Sequence, residues 1–255
     1  MAQTGQYADT AAVYFEELQA ATKKHEHLWN YDLYAPVLLV NPTTREVFAN
    51  KPDTAGILKK NGKFYSGVLP KTVNISNTSV QWSGQNWAMV MLPLSKNKNN
   101  RINLLTHELF HRAQRSLGFF AYNPDNTHLD KKDGRIYLRL ELEALKKAMK
   151  AASENERKEN ISDALAFRAF RYSQYPGADS TENLMELNEG ICEFTGMMMS
   201  GRSKEQMKEY FIKRIDYFIS SPSYLRSFAY ETAPVYGYLL SAIKKDWNKK
   251  IKGKI

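Results

Sequence analysis

The pattern of apolar and polar positions divides the chain into three stretches. The first, residues 7–27, has apolar side chains at helical spacing and predicts a helix. The second, which ends near residue 92, has the short apolar runs typical of β-strands, broken by glycine, proline and asparagine. Its predicted strands are Ala35–Val40, Glu46–Ala49, Phe64–Leu69, Thr72–Ile75, Val80–Trp82 and Trp87–Leu92.

The third stretch begins at Arg101 and has helical spacing almost throughout. Its predicted helices cover residues 101–117, 134–152, 156–174, 181–200, 203–220 and 235–250. A helix followed by strands and then by helices predicts an α+β fold. We therefore expect residues 1–255 to form a single unit, with a helix-plus-sheet lobe at 1–100 and a mainly helical lobe at 101–255.

Composition narrows the possible classes of protein. Hydrophobic residues make up 43% and charged residues 25% of the chain, as in ordinary globular proteins. No apolar run approaches the roughly 20 residues of a membrane span. The net charge is +9, but the chain has no arginine-rich stripe and no nucleic-acid motif, so we predict no nucleic-acid partner. The polar opening Met1–Gln6 would suit an exported, periplasmic or extracellular chain whose signal peptide has been removed.

The single cysteine, Cys192, excludes an internal disulfide framework. It lies between Ile191 and Glu193 on a predicted helix. We expect it to be a small, buried core residue.

The helix at 101–117 carries a metal-ligand pattern. His107 and His111 are four residues apart, so both imidazoles face the same way and can reach one ion. Glu108 is offset by about one residue's rotation, which suits a general base for a water at the fourth zinc position. The sequence therefore predicts a Zn²⁺ site of the HExxH type.

A second motif downstream indicates the third ligand. Asn188-Glu189-Gly190 resembles the second zinc motif of gluzincins, in particular the M1 aminopeptidases, and the resemblance implies Glu189 as the ligand. Glu193, one turn later, would hold the other N–H of a ligand histidine. The reverse assignment of the two glutamates stays open.

The layout also resembles a group of bacterial HExxH proteins with the signature Glu-Gly-x-x-Glu-[Phe/Tyr]-Thr-Gly, here Glu189–Gly196. This likeness implies a zincin-like α+β fold. The 78 positions from His111 to Glu189 are far more than the short spacer of M1 enzymes.

Two tyrosines are candidates for stabilising an oxyanion. The M1 resemblance points to Tyr230, which opens Tyr230-Glu-Thr-Ala233, although Ala233 replaces the family's glycine. Tyr236 is the competing candidate. Either phenol could donate to a developing oxyanion beside the metal.

Substrate contacts are expected at the sheet edge that precedes the zinc helix, where an extended peptide can add a strand. The candidate residues are Gly84, Asn86 and Trp87. No Asp or Glu occurs from Thr54 to His107, although seven Lys or Arg residues do. Because an aminopeptidase needs an anion for its substrate's amine, this stretch argues against copying the M1 specificity.

The segment between the two motifs holds further polar candidates. We expect His128 to be exposed in its Asn- and Asp-rich loop. Arg168 and Arg171 are three residues apart, and we expect them to form a buried ion pair with Glu141 or with neighbours of Glu189.

The predicted function is a zinc-dependent metallopeptidase. A zinc-activated water would attack a peptide bond of a peptide or protein substrate, with Glu108 as general base. Two alternatives remain: a zinc hydrolase of a non-peptide amide or ester, and a catalytically silent binding protein with a zincin fold.

Overall fold

A computed structural model describes residues 7–120 and 122–251. Met1–Gln6, on which the expectation of export depends, lie outside the described residues. The chain divides into two compact units. We call Met1–Gly118 with Met198–Gly201 the sheet unit, and Phe119–Met197 with Arg202–Ile255 the helical unit. The boundary follows the HExxH helix, whereas the predicted lobes met at residue 100.

The observed elements are α+β, as predicted. The strands are β1 (Val37–Val40), β2 (Glu46–Ala49), β3 (Lys59–Asn61), β4 (Phe64–Val68), β5 (Thr78–Trp82) and β6 (Gln85–Met91). The helices are α1 (Ala8–Lys24), α2 (Lys98–Ala113), α3 (Lys132–Lys150), α4 (Glu154–Gln174), α5 (Ala178–Met185), α6 (Ile191–Met199), α7 (Lys204–Ile219) and α8 (Ala229–Ile243). None of the helices in the described ranges is long and apolar enough to span a membrane.

The sheet unit contains one mixed six-stranded sheet in the order β3-β4-β2-β1-β6-β5. Only β1 and β6 are parallel, and the other neighbours are antiparallel. Both faces of β1 are buried, which explains its continuous apolar run Val37–Val40. Helices α1 and α2 contribute to the core on one face, which includes Leu39 of β1 and Leu105 of α2.

Two strand predictions fail. Thr72–Ile75 is not a strand, and a side chain binds carbonyls in and before this segment. The Arg45 guanidinium donates to the carbonyls of Leu69, Pro70 and Val73. Strand β3 was missed because its residues, Lys-Lys-Asn, are polar and exposed, as is common in edge strands.

The helical unit is built from apolar residues at helical spacing. Leu138, Leu142, Leu145 and Met149 lie on one face of α3, and they are buried in a core shared with α4, α7 and α8. The predicted helix at 181–200 is interrupted. Residues Glu186–Gly190 form a π-helical turn between α5 and α6, in which the Ile191 N–H donates to the Glu186 carbonyl.

Helix α8 packs closely on this π turn. A Cβ atom at Gly190 would lie 2.4 Å from the Ala233 Cβ and 2.9 Å from the Ala229 carbonyl oxygen. Both separations are shorter than real Cβ contacts, so Gly190 is required for this approach.

An ion-pair network joins the helices of this unit. Arg171, which is fully buried, pairs with Glu182 at 2.6 Å and with Glu141 at 2.8 Å. Arg168 pairs with Glu141 at 2.8 Å and with Glu186 at 2.6 Å. The predicted buried ion pairing of the two arginines is therefore confirmed.

His128 belongs to the same network. It is buried, and its Nε2 lies 2.7 Å from the Glu182 carboxylate. The prediction that His128 is exposed is therefore wrong. The polar sequence around His128 gave no sign that its partner would be Glu182, a buried acid 54 positions later on α5.

We expect Arg171→Met to destabilise the protein by about 3–5 kcal/mol, because it removes the buried cation between two carboxylates and leaves, among the described ion pairs, Glu141 with Arg168 alone and Glu182 with His128 alone. The matched control is Lys213→Met, which breaks the exposed Lys213–Glu209 pair and should change stability far less, because exposed ion pairs contribute little. Urea unfolding followed by circular dichroism measures both. Equal losses for the two variants would contradict a structural role for the network.

Candidate metal centre

The HExxH helix is fixed within the sheet unit by three kinds of contact. The Asn97 side chain accepts from the Asn100 N–H and caps the N-terminus of α2. Arg101 makes a two-pronged ion pair with Glu17 of α1, at 2.6 and 2.7 Å. Near the other end, Arg112 Nε donates to the Asn86 carbonyl of β6 at 2.8 Å. These anchors hold the face of α2 that carries His107 and His111 in a defined position.

The two histidines of the motif are brought together as their spacing predicts. The His107 and His111 Nε2 atoms lie 3.0 Å apart. Two imidazole nitrogens that bind one tetrahedral zinc ion at about 2.0–2.1 Å are roughly 3.3 Å apart. The observed separation is within a few tenths of an ångström of that value, so the pair fits a shared ion.

Gln114 selects the tautomer of His111. The His111 Nδ1 lies 2.9 Å from the Gln114 Oε1. With the amide oriented in this way, Nδ1 carries the proton and donates it, which leaves a lone pair on Nε2. An Nε2 lone pair is what a metal ligand requires, and a carbonyl oxygen is a usual outer partner of such a ligand.

The sequence analysis did not identify this role of Gln114. Its spacing of three positions from His111 was the available signal. Helix α2 ends at Ala113, and Gln114–Leu117 continue as a 3₁₀ turn that stops at Gly118 in the left-handed conformation. Gln114 thus reaches His111 from the first residue of a tighter turn.

Glu108 is buried together with its neighbours on α2. Only 5% of Glu108 and 4% of His107 are exposed. A buried carboxylate is sheltered from bulk water, an environment in which proton transfer can be tuned. Glu108, the predicted general base, therefore lies on a buried part of a helix rather than in a loop.

The second motif lies in the π turn of the helical unit. Tyr230 OH donates to Glu189 Oε2 at 2.5 Å, so the predicted oxyanion donor contacts the predicted third ligand. Burial raises the pKa of Tyr230 well above its ordinary value, and the Glu189 carboxylate raises it further. The phenol therefore stays protonated and remains a hydrogen-bond donor.

Glu193 lies one turn after Glu189, and it pairs with a cation on α7. Arg214 Nη1 donates to Glu193 Oε1 at 2.6 Å, and its other nitrogens donate to Glu231. Burial lowers the pKa of Arg214, but Glu193 and Glu231 outweigh this effect and raise it above its usual range. The histidine-holding role of Glu193 stays a prediction.

The competing tyrosine, Tyr236, lies in the ion-pair network. Its OH donates to Glu141 Oε1 at 3.1 Å, and the Arg168 guanidinium is 4.8 Å from its ring centre.

Cys192 is fully buried, and its thiol donates to the Asn188 carbonyl at 3.0 Å. The expectation of a buried core cysteine is confirmed.

The structure corrects the expected position of the sheet edge. Strand β6 is paired on both sides, with β1 and with β5, so β5 is the open edge at this end of the sheet. Trp87 is completely buried, and its indole donates to the Trp82 carbonyl.

The other two proposed substrate residues have structural contacts. Gly84 is in the β5–β6 turn with a φ of 76°, where a Cβ atom would lie 1.9 Å from Thr54 Oγ1. Asn86 Oδ1 accepts from the Ser79 hydroxyl at 2.8 Å. Their substrate-binding role stays a prediction.

Comparison with protein-family models, with curated proteins and with solved structures finds no match for this chain. The class of site is therefore argued from its own residues. The chain is an α+β protein in which one helix presents a buried glutamate and two histidines, whose Nε2 atoms lie 3.0 Å apart.

We expect Gln114→Leu to weaken zinc binding by roughly 10- to 100-fold, because His111 loses the partner that selects its tautomer. Competition with a chromogenic chelator measures the affinity, and Arg115→Leu at the exposed neighbouring position is the control. Without metal, long-range ¹H–¹⁵N spectra should show the His111 proton on Nδ1 in the wild type. A proton on Nε2 instead would refute this assignment.

Proposed function

We propose that this protein is a zinc-dependent metallopeptidase with a zincin-like catalytic site. The observation that carries the proposal is the pair of His107 and His111 Nε2 atoms, 3.0 Å apart on one helix, with His111 oriented by Gln114. Both are neutral nitrogen ligands of the kind that zinc prefers. The residue between them in the motif, Glu108, has the right chemistry for a general base.

The third ligand is proposed to be Glu189 of the helical unit. A carboxylate completes a His₂Glu set, which is the usual set in catalytic zinc sites of this kind. Support comes from Tyr230, whose hydrogen bond fixes the orientation of the Glu189 carboxylate. Cys192, close by on the same chain segment, is the competing ligand, since a thiolate also binds zinc well.

Each group of the proposed site has its own role in the reaction. Zinc, when bound, supplies a Lewis acid that polarises a carbonyl and lowers the pKa of water. Glu108 accepts the proton of the attacking water and passes it to the leaving amine. Tyr230 is a protonated donor that could turn from Glu189 to a developing oxyanion.

The sheet supplies a reasonable place for an extended peptide. Strand β5 leaves one edge unpaired within the sheet order, and main-chain hydrogen bonds can add a peptide strand there. This mode of binding recognises a peptide backbone, which favours peptides over isolated amides or esters as substrates.

We expect Glu108→Gln to retain stoichiometric zinc and to lose at least about 100-fold in peptide hydrolysis, because the general base is gone. His111→Ala should lose both zinc and activity. Metal content by mass spectrometry and digestion of a peptide library measure these outcomes. A wild type without metal affinity would refute the proposal, whereas zinc without peptide cleavage would favour a non-peptide hydrolase or a silent binding protein.

We expect Glu189→Gln to weaken zinc binding by more than tenfold and Cys192→Ser to leave it within about threefold. Tyr230→Phe should weaken zinc binding by about tenfold, as is typical for loss of an outer partner. Metal titration of all three variants compares them. If Cys192→Ser has the larger effect, the ligand set is His₂Cys and the assignment of Glu189 is wrong.

A further inference from the structure

The helical unit contains a cavity of about 440 Å³, a volume in the range of small-molecule sites. It lies among α4, the π turn, α6, α8 and the chain that follows α8. Its apolar lining includes Leu187, Ile191, Leu240 and Trp247. Such a lining would bury a branched or aromatic group.

One wall is formed by the segment after α8. Trp247 contacts Phe194, with ring centres 5.1 Å apart, and its indole N–H donates to the Ser241 hydroxyl. Leu165 and Leu240, which line the same cavity, are 49% and 37% exposed. These two exposed leucines indicate that the cavity opens to solvent.

Charge enters the cavity through Arg168 and Glu186. Every nitrogen of the Arg168 guanidinium donates to a carboxylate, two of them to Glu186 and one to Glu141. Three of the five N–H groups of Arg168 are therefore engaged by carboxylates. Among the described contacts, Glu186 Oε2 accepts one hydrogen bond, although a carboxylate oxygen can accept two.

The network behind this wall contains more carboxylates than guanidiniums. Three carboxylates, of Glu141, Glu182 and Glu186, are linked to two guanidiniums, of Arg168 and Arg171. Glu182 also lies 2.7 Å from the His128 Nε2. Lysines 244, 245 and 250 lie on the segment that carries Trp247, but they are exposed, are not among the lining residues, and are screened by solvent.

We propose that this cavity binds a small primary amine with a branched or aromatic body, its ammonium group donating to Glu186. The apolar wall accepts the body of the ligand, and Glu186, whose Oε2 can accept a further hydrogen bond, favours a cationic head over an anionic one. The proposal does not depend on the zinc site, because none of the lining residues is a proposed zinc ligand.

The probes are phenethylamine, 2-phenylethanol and 3-phenylpropionate, which share a body and differ in head group. Isothermal titration calorimetry gives the affinities, and the Trp247 indole signal in ¹H–¹⁵N spectra reports the location. That signal is assigned by its loss in Trp247→Phe. We expect the amine to bind in the sub-millimolar range, as suits about nine heavy atoms, and at least about tenfold more tightly than the acid.

Two variants on α8 form a matched pair. Leu240→Lys places a cation at the cavity mouth, whereas Ile243→Lys places the same charge on a residue that is 57% exposed and is not among the lining residues. The first should weaken binding of the amine by at least about tenfold, and the second should change it less than twofold. Equal melting temperatures show that both variants fold.

Equal affinity for the three probes would overturn the assignment of the head group. Equal effects of the two lysine variants, or an indole signal that does not move at saturation, would overturn the location. A Trp247 shift with preference for the amine, abolished by Leu240→Lys alone, would establish the site.

Discussion

The helical unit depends on two arginines, one turn apart on α4, that bind three buried carboxylates. Arg168 reaches Glu141 on α3 and Glu186 in the π turn, and Arg171 reaches Glu141 and Glu182 on α5. Burying so many charges is costly unless each has its partner. The network therefore fixes the rotation and position of each helix more strictly than apolar packing alone.

That constraint extends to the second motif through the π turn. Glu186 at its start is held by Arg168 and by the Thr232 hydroxyl, whereas Glu189 near its end is held by Tyr230. Gly190 lets α8 approach closely enough for both α8 side chains to reach their partners. Glu189 is thus oriented by contacts made within its own unit.

How much the sequence could reveal depended on the distance over which each interaction acts. The His107–His111 pair and the burial of Cys192 follow from spacing on one helix, so local periodicity was sufficient. Gln114 contacts His111 from a 3₁₀ turn, which departs from that periodicity. The role of Gln114 was therefore not predicted.

Longer-range pairings were harder to predict. Arg45 binds carbonyls about 24–28 positions away, beside and within the segment where local propensity favoured a strand. His128 looked like a loop residue because its partner, Glu182, is 54 positions distant. The order of the strands, which makes β5 rather than β6 the open edge, also requires the three-dimensional pairing.

The π turn fixes the number of residues that this segment of the chain can have. A π turn is an α-helix with one residue too many, and the surplus is stable only while its neighbours hold it. Removing one residue between Glu186 and Gly190 would restore a regular α-helix and rotate everything beyond it by roughly 100°. Glu193 and its bond to Arg214 could then be kept only by giving up those of Glu186, so the helix can vary in composition here but not in length.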